Sequence, residues 1–340
     1  MRQYIILETA KHKAARNNLL VSVFRKEYHI RELFISDETI QNITWGEIRM
    51  NNLRQKKLFL FDIDGTLAVG DTLYEGSAEL LDYIASIGGK SYFITNNSTR
   101  SGADYVEKFR NAFGLATTED QFITSGYMTV LFLLENYADK KIFVLGTNSF
   151  VAELRRNGLR VVETAAPENI CLADTTDEIS GKPDCPTDNT PIACVVVAYD
   201  SELTYDKLVQ VCKVLSTTDV PFYATNPDLC CSIDFGFIPD CGAICNMITE
   251  STGKRPIYLG KPSKEVVELC LAESGFSKEE TLVVGDRLYT DIACGINGGV
   301  DTCVVFTGEA SRKDMATTEY PATYCFENIK ELLKHCTGTS

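Results

Sequence analysis

The sequence has few of the residues on which several common kinds of site depend. Among 340 residues there are three histidines and one tryptophan, and no two cysteines stand in a C-x-x-C pair. The thirteen cysteines are odd in number and scattered, so neither a disulfide framework nor a zinc site is indicated. No apolar run approaches the roughly 20 residues of a membrane span, and the start lacks a signal-peptide core. We therefore expect a cytoplasmic protein without membrane contact.

Positive charge is also scarce, because 33 Lys and Arg face 47 Asp and Glu and leave a net charge of −14. Residues 1–57 are the exception, with 11 basic against 6 acidic side chains, but this excess is diffuse. It is more typical of a solvated helical face than of a phosphate-binding stripe. The acidic main body argues against a nucleic-acid partner, whose phosphates attract basic patches.

From residue 58 onward, short β-rich runs alternate with helical stretches of about 10 to 15 residues, which is typical of parallel α/β units. Most of the runs are apolar on successive residues, so both faces of the strands should be buried. The predicted strands are 58–63, 91–95, 121–124, 141–145, 159–162, 192–198, 220–224, 256–259, 281–284 and 302–306. The predicted helices are 75–87, 103–113, 127–137, 150–156, 205–217, 243–250, 264–274 and 328–335, and the polar stretch 164–191 is predicted to be a long acidic loop of unknown function.

Two aspartates, Asp62 and Asp64, directly follow the apolar run LFLF within the stretch DIDGT. In open parallel α/β sheets, ligands bind at the edge where the strands end. Residues two apart on an extended segment point to the same side, and two adjacent carboxylates disfavour each other's ionisation unless a cation lies between them. Oxygen ligands at an open edge suit Mg²⁺, which indicates phosphate chemistry. Taken alone, the stretch could also be an ordinary strand-end turn.

Three further polar clusters follow predicted strands and help to decide between these interpretations. Hydroxyl, amide and backbone N–H groups can hold phosphate oxygens, and a lysine supplies a mobile positive charge. Each cluster has an ordinary alternative, such as a helix cap or a surface lysine. Their shared position at strand ends favours one common site. The clusters are Thr95, Asn96 and Asn97 in YFITNNS, Lys261 in IYLGKPS, and Asp286 and Asp291 in GDRLYTDI.

These motifs resemble those of the haloacid dehalogenase superfamily, whose phosphohydrolases use an aspartate nucleophile. Stretches such as TNNSTRS, YATNPD and GDRLYTDIACGINGG are similar to its NagD-like branch, which includes p-nitrophenylphosphatases, phosphoglycolate phosphatases and pyridoxal phosphatases. The resemblance covers about residues 56–336. It implies an α/β fold, with a Rossmann-like parallel-sheet core at 56–124 and 229–340 and an inserted α/β cap at 125–228. Residues 1–55 are left as an N-terminal extension of unknown role.

The resemblance also implies a role for each motif residue. Asp62 would attack phosphorus and form an aspartyl phosphate, while Asp64 would protonate the leaving oxygen and then activate water. Thr95 and Lys261 would complete the catalytic set. Mg²⁺ is expected on Asp62, the Asp64 backbone carbonyl and Asp286, with Asp291 ligating it or holding a water. The expected phosphate or substrate ligands are Gly65, Thr95, Asn96, Asn97, Lys261, Asp200 and Glu202.

The predicted function is that of a Mg²⁺-dependent phosphomonoesterase acting on a small phosphorylated metabolite. Because Glu202 and an acidic cap would disfavour a second carboxylate on the substrate, we expect sugar phosphates or nucleoside monophosphates rather than phosphoglycolate. The resemblance is compatible with a homodimer formed through the cap. Two alternatives stay open: a phosphotransferase or mutase on the same core, and a non-catalytic phosphometabolite-binding regulator.

Two other phosphatase chemistries are excluded by inspection of the sequence. All three histidines, His12, His29 and His335, lie outside every motif, so a phosphohistidine mechanism has no residue to use. No cysteine is followed six residues later by arginine, as the loop of a cysteine-based phosphatase requires.

Overall fold

The computed structural model describes residues 50–163, 191–233 and 235–338. Contacts along the chain divide the protein into two compact units, residues 1–51 and 52–340, and the second is described here. Nearly all of the predicted N-terminal extension and of the predicted loop at 164–191 therefore lies outside the described residues. Within the described residues, every helix is too short or too polar to cross a bilayer.

The strands of the described residues are short, and most of them are buried runs of apolar side chains. In chain order they are β1 (Leu58–Phe61), β2 (Ala68–Val69), β3 (Thr72–Leu73), β4 (Lys90–Thr95), β5 (Phe122–Thr124), β6 (Lys141–Leu145), β7 (Arg160–Glu163), β8 (Ile192–Val197), β9 (Phe222–Ala224), β10 (Cys230–Ile233), β11 (Gly236–Pro239), β12 (Ile257–Tyr258), β13 (Thr281–Gly285), β14 (Asp301–Val305) and β15 (Tyr324–Phe326).

Most of the helices begin at a residue that can cap them. The side chains at six of these starts, Ser101, Thr124, Thr147, Thr204, Asp240 and Asn328, accept a backbone N–H of the first turn. The helices are α1 (Ser77–Ser86), α2 (Gly102–Lys108), α3 (Ser125–Tyr137), α4 (Asn148–Arg156), α5 (Tyr205–Thr217), α6 (Cys241–Thr252), α7 (Glu265–Ser274), α8 (Ala293–Gly298) and α9 (Ile329–Thr337), with π-helical turns at Phe109–Phe113 and Leu288–Ile292.

A six-stranded parallel sheet, the core sheet, has the order β15-β14-β13-β1-β4-β5. Strand β1 lies between β13 and β4, and all four of its residues are buried. Side chains of β1 and β4 pack with α7 and α8 in one apolar cluster. Burial on both faces explains why β1 is apolar at successive positions. The carboxyl ends of β1, β4 and β13 therefore meet at one edge, where the motif residues follow them.

A second parallel sheet, the cap sheet, has five strands in the order β12-β9-β8-β6-β7. Helices α5 and α6 pack against it, because Val211 of α5 and Ile244 of α6 share an apolar cluster with Val195 and Val197 of β8. The two sheets confirm the predicted α/β architecture of a Rossmann-like core with an α/β cap.

The packing of the cap differs from the expected division at residue 228. Strand β12 pairs in parallel with β9, although the sequence analysis placed residues 256–259 in the core. Helix α6 also contributes its buried face to the cluster of the cap sheet rather than to the core. The cap sheet therefore includes residues up to Tyr258, because β12 pairs with β9 and α6 shares the apolar cluster of that sheet.

Candidate active site

The two aspartates of DIDGT lie at the carboxyl end of β1. The Asp62 N–H donates to the Val284 carbonyl at 2.9 Å, which extends the ladder by one residue, and the side chain is almost buried. Beyond it the chain turns, and Gly65 adopts a left-handed φ of +97°. A Cβ at this position would lie 2.7 Å from a carboxylate oxygen of Asp286. Glycine is therefore required both by the turn and by the close approach of the β13 loop.

Lys261 joins two of the motif carboxylates. Its ammonium lies 2.6 Å from Asp62 Oδ1 and 2.7 Å from Asp291 Oδ1, and it donates to the Ile94 carbonyl at 3.0 Å. The side chain is only 3% exposed. Burial opposes the charge, but Asp291 and Asp62 outweigh it and raise the pKa of Lys261 above its ordinary value. The lysine is therefore a fixed positive charge beside the candidate nucleophile.

Three buried carboxylates converge beside this lysine. One oxygen each from Asp62, Asp286 and Asp291 lies within 4.8 Å of the other two. Burial, reinforced by Asp291, raises the pKa of Asp286 to about 6. Burial also raises the pKa of Asp62 well above its usual range, with Asp291 and Asp286 adding to the effect and Lys261 opposing it. Such a cluster favours a bound cation, because a cation stabilises all three ionised forms together.

The contacts around the carboxylates fit a small hard cation such as Mg²⁺. Asp286 is oriented by the Thr66 hydroxyl at 3.2 Å and by the Glu309 N–H at 2.8 Å, and the Arg287 N–H donates to Asp291 Oδ2 at 2.9 Å. Hydrogen bonds of this kind orient carboxylate ligands in metal sites. The buried Thr290 hydroxyl, also at this cavity, has no hydrogen-bond partner in the described residues. An all-oxygen donor set with a spare hydroxyl matches the ligands that Mg²⁺ prefers.

Thr95 ends β4, Asn96 and Asn97 follow it, and all three line the same cavity. The Thr95 hydroxyl accepts the Asn97 N–H at 3.1 Å. The Asn96 side chain holds the lysine loop, accepting from the Lys261 N–H at 2.9 Å and donating to the Lys261 carbonyl at 3.1 Å. The Asn97 side-chain oxygen accepts from both the backbone and the hydroxyl of Thr99. These two amides therefore order the loops of the site, and their predicted phosphate contacts stay a prediction.

The structure does not bring Asp200 and Glu202 to this site. Asp200 pairs with Lys207 at 2.8 Å, and its other oxygen accepts the Glu202 N–H. Glu202 accepts two hydrogen bonds from Asn148, one from its backbone and one from its side chain. Both carboxylates are thus engaged within the cap, where they hold the starts of α5 and α4. Of this loop, only Ser201 lines a cleft next to the site.

Sequence reasoning missed an ion pair between the cap and the core. Asp228, in the loop after β9, lies 2.8 Å from the guanidinium of Arg287, which follows β13 and also contacts Glu309 at 3.0 Å. Asp228 also accepts from the Asn96 amide at 3.2 Å. Asp228 lies in YATNPD and Arg287 in GDRLYTDI, two stretches that resemble the family. That resemblance was the one feature of the sequence that could have drawn attention to the pair. Their charges hold the cap loop against the core at the edge of the site.

Asp240 is a second missed residue of the site. It caps α6 by accepting the Cys241 N–H, and it lines the cavity from the cap side. Burial raises its pKa to about 7. The cap therefore contributes two buried acids, Asp228 and Asp240, to the wall of the cavity.

Two connected spaces surround the motif residues. The inner cavity, of about 30 Å³, is lined by Asp62, Thr95, Lys261 and Thr290 among others. A space of this size admits about two water molecules, and hence little more than the oxygens of one phosphoryl group. The outer cleft, of about 380 Å³, opens between the core and the cap. Asp64 lines both spaces, so it lies where the inner cavity and the outer cleft adjoin.

Residues 59–160 of the chain match the haloacid dehalogenase-like hydrolases, and residues 258–332 match a second family of that type. The solved structure of a 4-nitrophenylphosphatase from Thermotoga maritima is 32% identical, with a TM-score of 0.71, over 84% of this chain and 99% of its own. The chain belongs to the haloacid dehalogenase-like hydrolases. Within them it is a phosphatase of the NagD and p-nitrophenylphosphatase type, as its motifs predicted.

Two other phosphatases match the chain to a similar extent. The acid sugar phosphatase of Staphylococcus aureus strain MRSA252 is 29% identical over 281 residues, which is 83% of this chain and 98% of the relative. The glycerol phosphate phosphatase of Mycobacterium tuberculosis, solved in complex with magnesium, is 22% identical. It has a TM-score of 0.69 over 83% of this chain and 78% of its own, which shows a shared fold. The resemblance thus spans both the core and the cap.

Proposed function

We propose that this chain is a Mg²⁺-dependent phosphomonoesterase that hydrolyses small phosphorylated metabolites through an aspartyl phosphate on Asp62. The proposal rests on one observation above all. The carboxylate of Asp62 lies 2.6 Å from the Lys261 ammonium and within 4.8 Å of two further buried carboxylates. Hydrolysis of phosphate monoesters can require an acceleration of up to roughly 10²¹-fold, so most of it has to come from positioned charges. This arrangement supplies such charges.

In the proposed reaction, an oxygen of Asp62 attacks phosphorus while the bond to the leaving oxygen breaks. Asp64 gives its proton to that leaving oxygen, and its position between the inner cavity and the outer cleft suits this role. In the second step, Asp64 takes a proton from a water, which attacks the aspartyl phosphorus and releases inorganic phosphate. Lys261 keeps its charge throughout and offsets the negative charge of the phosphoryl oxygens.

Asp62, Asp286 and Asp291 are the side chains that would hold Mg²⁺, together with the Asp64 backbone carbonyl that the family resemblance implies. When bound, the ion would neutralise charge on the phosphoryl group. The Thr66 hydroxyl and the Glu309 N–H would keep Asp286 oriented, because they hold its carboxylate on two sides.

Sugar phosphates and nucleoside monophosphates are the proposed substrates, supported by the acid sugar phosphatases among the relatives. Glu202 does not support this choice of substrate, because Asn148 holds its carboxylate within the cap. A homodimer through the cap and a cytoplasmic location stay predictions. The phosphotransferase or mutase alternative differs in one measurable way, since it requires an acceptor other than water.

The test compares three full-length variants with p-nitrophenyl phosphate and with sugar phosphates in the presence of Mg²⁺. Asp62→Asn should abolish turnover, and Asp64→Asn should lower it strongly. Asp82→Asn, an exposed substitution on α1, is the matched control and should leave turnover unchanged. Circular dichroism checks the fold of each variant. Persistent turnover in pure Asp62→Asn would refute the nucleophile, and phosphate release only with an added alcohol would favour a phosphotransferase.

A further inference from the structure

The outer cleft carries two positive charges that the proposed reaction leaves unused. Lys108, at the end of α2, and Arg100, in the loop before it, both line the cleft. Among the described residues, Asp64 is the one acidic residue that lines the cleft. Asp200 and Glu202 do not line it. The charge that faces the non-phosphate part of a substrate is therefore positive, contrary to the expectation of an acidic wall.

The positive charge of Lys108 is only partly balanced by its neighbours, although the side chain is nearly buried. Its side chain is only 11% exposed, and its ammonium lies 3.8 Å from Asp64 Oδ1, which is too far for a hydrogen bond. Its other neighbour is the ring of Phe113, whose centre is 5.6 Å away. A nearly buried ammonium is costly unless it is paired and hydrogen-bonded. An anionic group in the cleft would supply the missing partner.

Two neighbours of Lys108 support a ligand at this position. Arg100 is exposed and forms no ion pair or hydrogen bond with other residues in the described parts of the chain. The Tyr105 hydroxyl is buried at the cleft wall beside the Thr95 side chain, without a hydrogen bond of good geometry. Phe235, which is 82% exposed, and Tyr199 add an aromatic surface on the cap side.

We propose that the outer cleft selects phosphomonoesters whose leaving group carries a second anionic group, and that Lys108 and Arg100 are the residues that recognise it. This inference rests on the proposed function and names the substrate class of the same site. The scissile phosphoryl group occupies the inner cavity, and the second anion lies beyond Asp64 against the two cations. A phosphorylated sugar acid and a sugar bisphosphate both have this chemistry.

The experiment uses two matched substrate pairs with the full-length enzyme and Mg²⁺. The first pair is 6-phosphogluconate and glucitol 6-phosphate, two open chains that differ by a carboxylate in place of a hydroxymethyl group, and the second is fructose 1,6-bisphosphate and fructose 6-phosphate, which differ by a phosphate. We expect a higher kcat/KM for the anionic member of at least one pair. The pair that shows the preference identifies the carboxylate or the second phosphate as the recognised group.

Variants then test whether the two cations cause this preference. Lys108→Met and Arg100→Gln should each lower the ratio of kcat/KM for the anionic over the neutral member roughly tenfold, the loss expected for one charge-assisted contact. Lys108→Arg should largely restore the ratio. Arg110→Gln is the matched control, since Arg110 is an exposed cation on the adjoining π-helical turn, away from the cleft wall. Its ratio should equal that of the wild type.

Two outcomes would overturn the inference. Equal kcat/KM for the two members of both pairs would show that the cleft does not recognise a second anionic group. A fall in kcat/KM by the same factor for both members would show that Lys108 acts only on Asp64. If no phosphomonoester is turned over, the proposed function fails, and calorimetric binding of the same pairs to Asp62→Asn still decides the selectivity. Equal affinities in that measurement would refute it.

Discussion

Replacing Gly308 with alanine should disable the proposed metal site without unfolding the protein. A Cβ at this position would lie 2.0 Å from Asp286 Oδ2 and 2.5 Å from its Cγ. Ordinary van der Waals contact begins at 3.4 Å, so the carboxylate has to retreat by more than 1 Å. That movement breaks the hydrogen bonds from Thr66 and from the Glu309 N–H. Gly308 does not adopt a left-handed φ, so the substitution adds no strain of that kind.

The size of the effect follows from the geometry that Mg²⁺ demands. Mg–O distances stay close to 2.0–2.1 Å, and a misplacement of about 1 Å near the chemistry can cost on the order of 10²-fold in rate. We therefore expect Gly308→Ala to lower kcat/KM about 100-fold and to raise the Mg²⁺ concentration needed for half-maximal activity. Metal binding measured by calorimetry should weaken in parallel, so the loss does not depend on an activity assay alone.

Gly158→Ala is the control for a general effect of glycine replacement. Gly158 has a left-handed φ of +84° and no atom within 4 Å of an added Cβ. Alanine there should cost about 1–2 kcal/mol of stability through backbone strain while leaving Mg²⁺ dependence unchanged. If Gly308→Ala binds Mg²⁺ and turns over substrate as the wild type does, Asp286 is not a required ligand and the reasoning fails.

Three other predictions concern buried polar groups. Arg287→Met should lower the free energy of unfolding by about 3–5 kcal/mol, because it leaves Asp228 unpaired, and adding Asp228→Asn should recover part of the loss in a denaturant titration. Burial raises the pKa of Glu153 to about 7, so the folded state keeps a proton that the unfolded state loses, and stability should fall as the pH rises from about 4.5 to 7. Glu153→Gln should remove this fall and be more stable by up to about 3 kcal/mol at pH 8, while equal stabilities at pH 8 would contradict it. Tyr105→Phe should raise the unfolding free energy of the free protein by about 1 kcal/mol, because its buried hydroxyl is unpaired, and a clear loss of stability would refute that description.

The parts of the fold that were predictable from the sequence are those with a strong local pattern. Strand β1 ends two residues earlier than predicted, at Phe61, because the chain turns away from the sheet after a last hydrogen bond from the Asp62 N–H to β13. The hairpin of β10 and β11 was missed, since its mixture of cysteine, serine, glycine and exposed phenylalanine lacks a regular alternation. The assignment of residues 256–259 to the core failed because a short strand does not reveal which sheet it joins.

In the candidate site, too, the residues set by a local pattern were predictable, whereas the side chains oriented by tertiary contacts were not. Asp62, Thr95, Lys261, Asp286 and Asp291 meet as expected, because each follows a parallel strand or lies in a loop that faces one sheet edge. The side chains of Asp200 and Glu202 could not be placed from their position in the chain. Their orientation depends on Lys207 and Asn148, and these partners become visible only once the cap is folded.

The pair of Asp228 and Arg287 limits how freely a cap can be exchanged between relatives. The three clustered carboxylates belong to loops of the core sheet, and Lys261 lies beyond β12, so a cap graft that ends at Tyr258 would leave all four in place. The graft would nevertheless remove one of the two carboxylates that neutralise Arg287, whose side chain is only 14% exposed. A donor cap with a neutral residue after its fourth strand, β9 in this chain, would leave that cation underpaired at the wall of the inner cavity. Chimeras should therefore be chosen first for an acid at this junction and only then for the substrate their cap accepts.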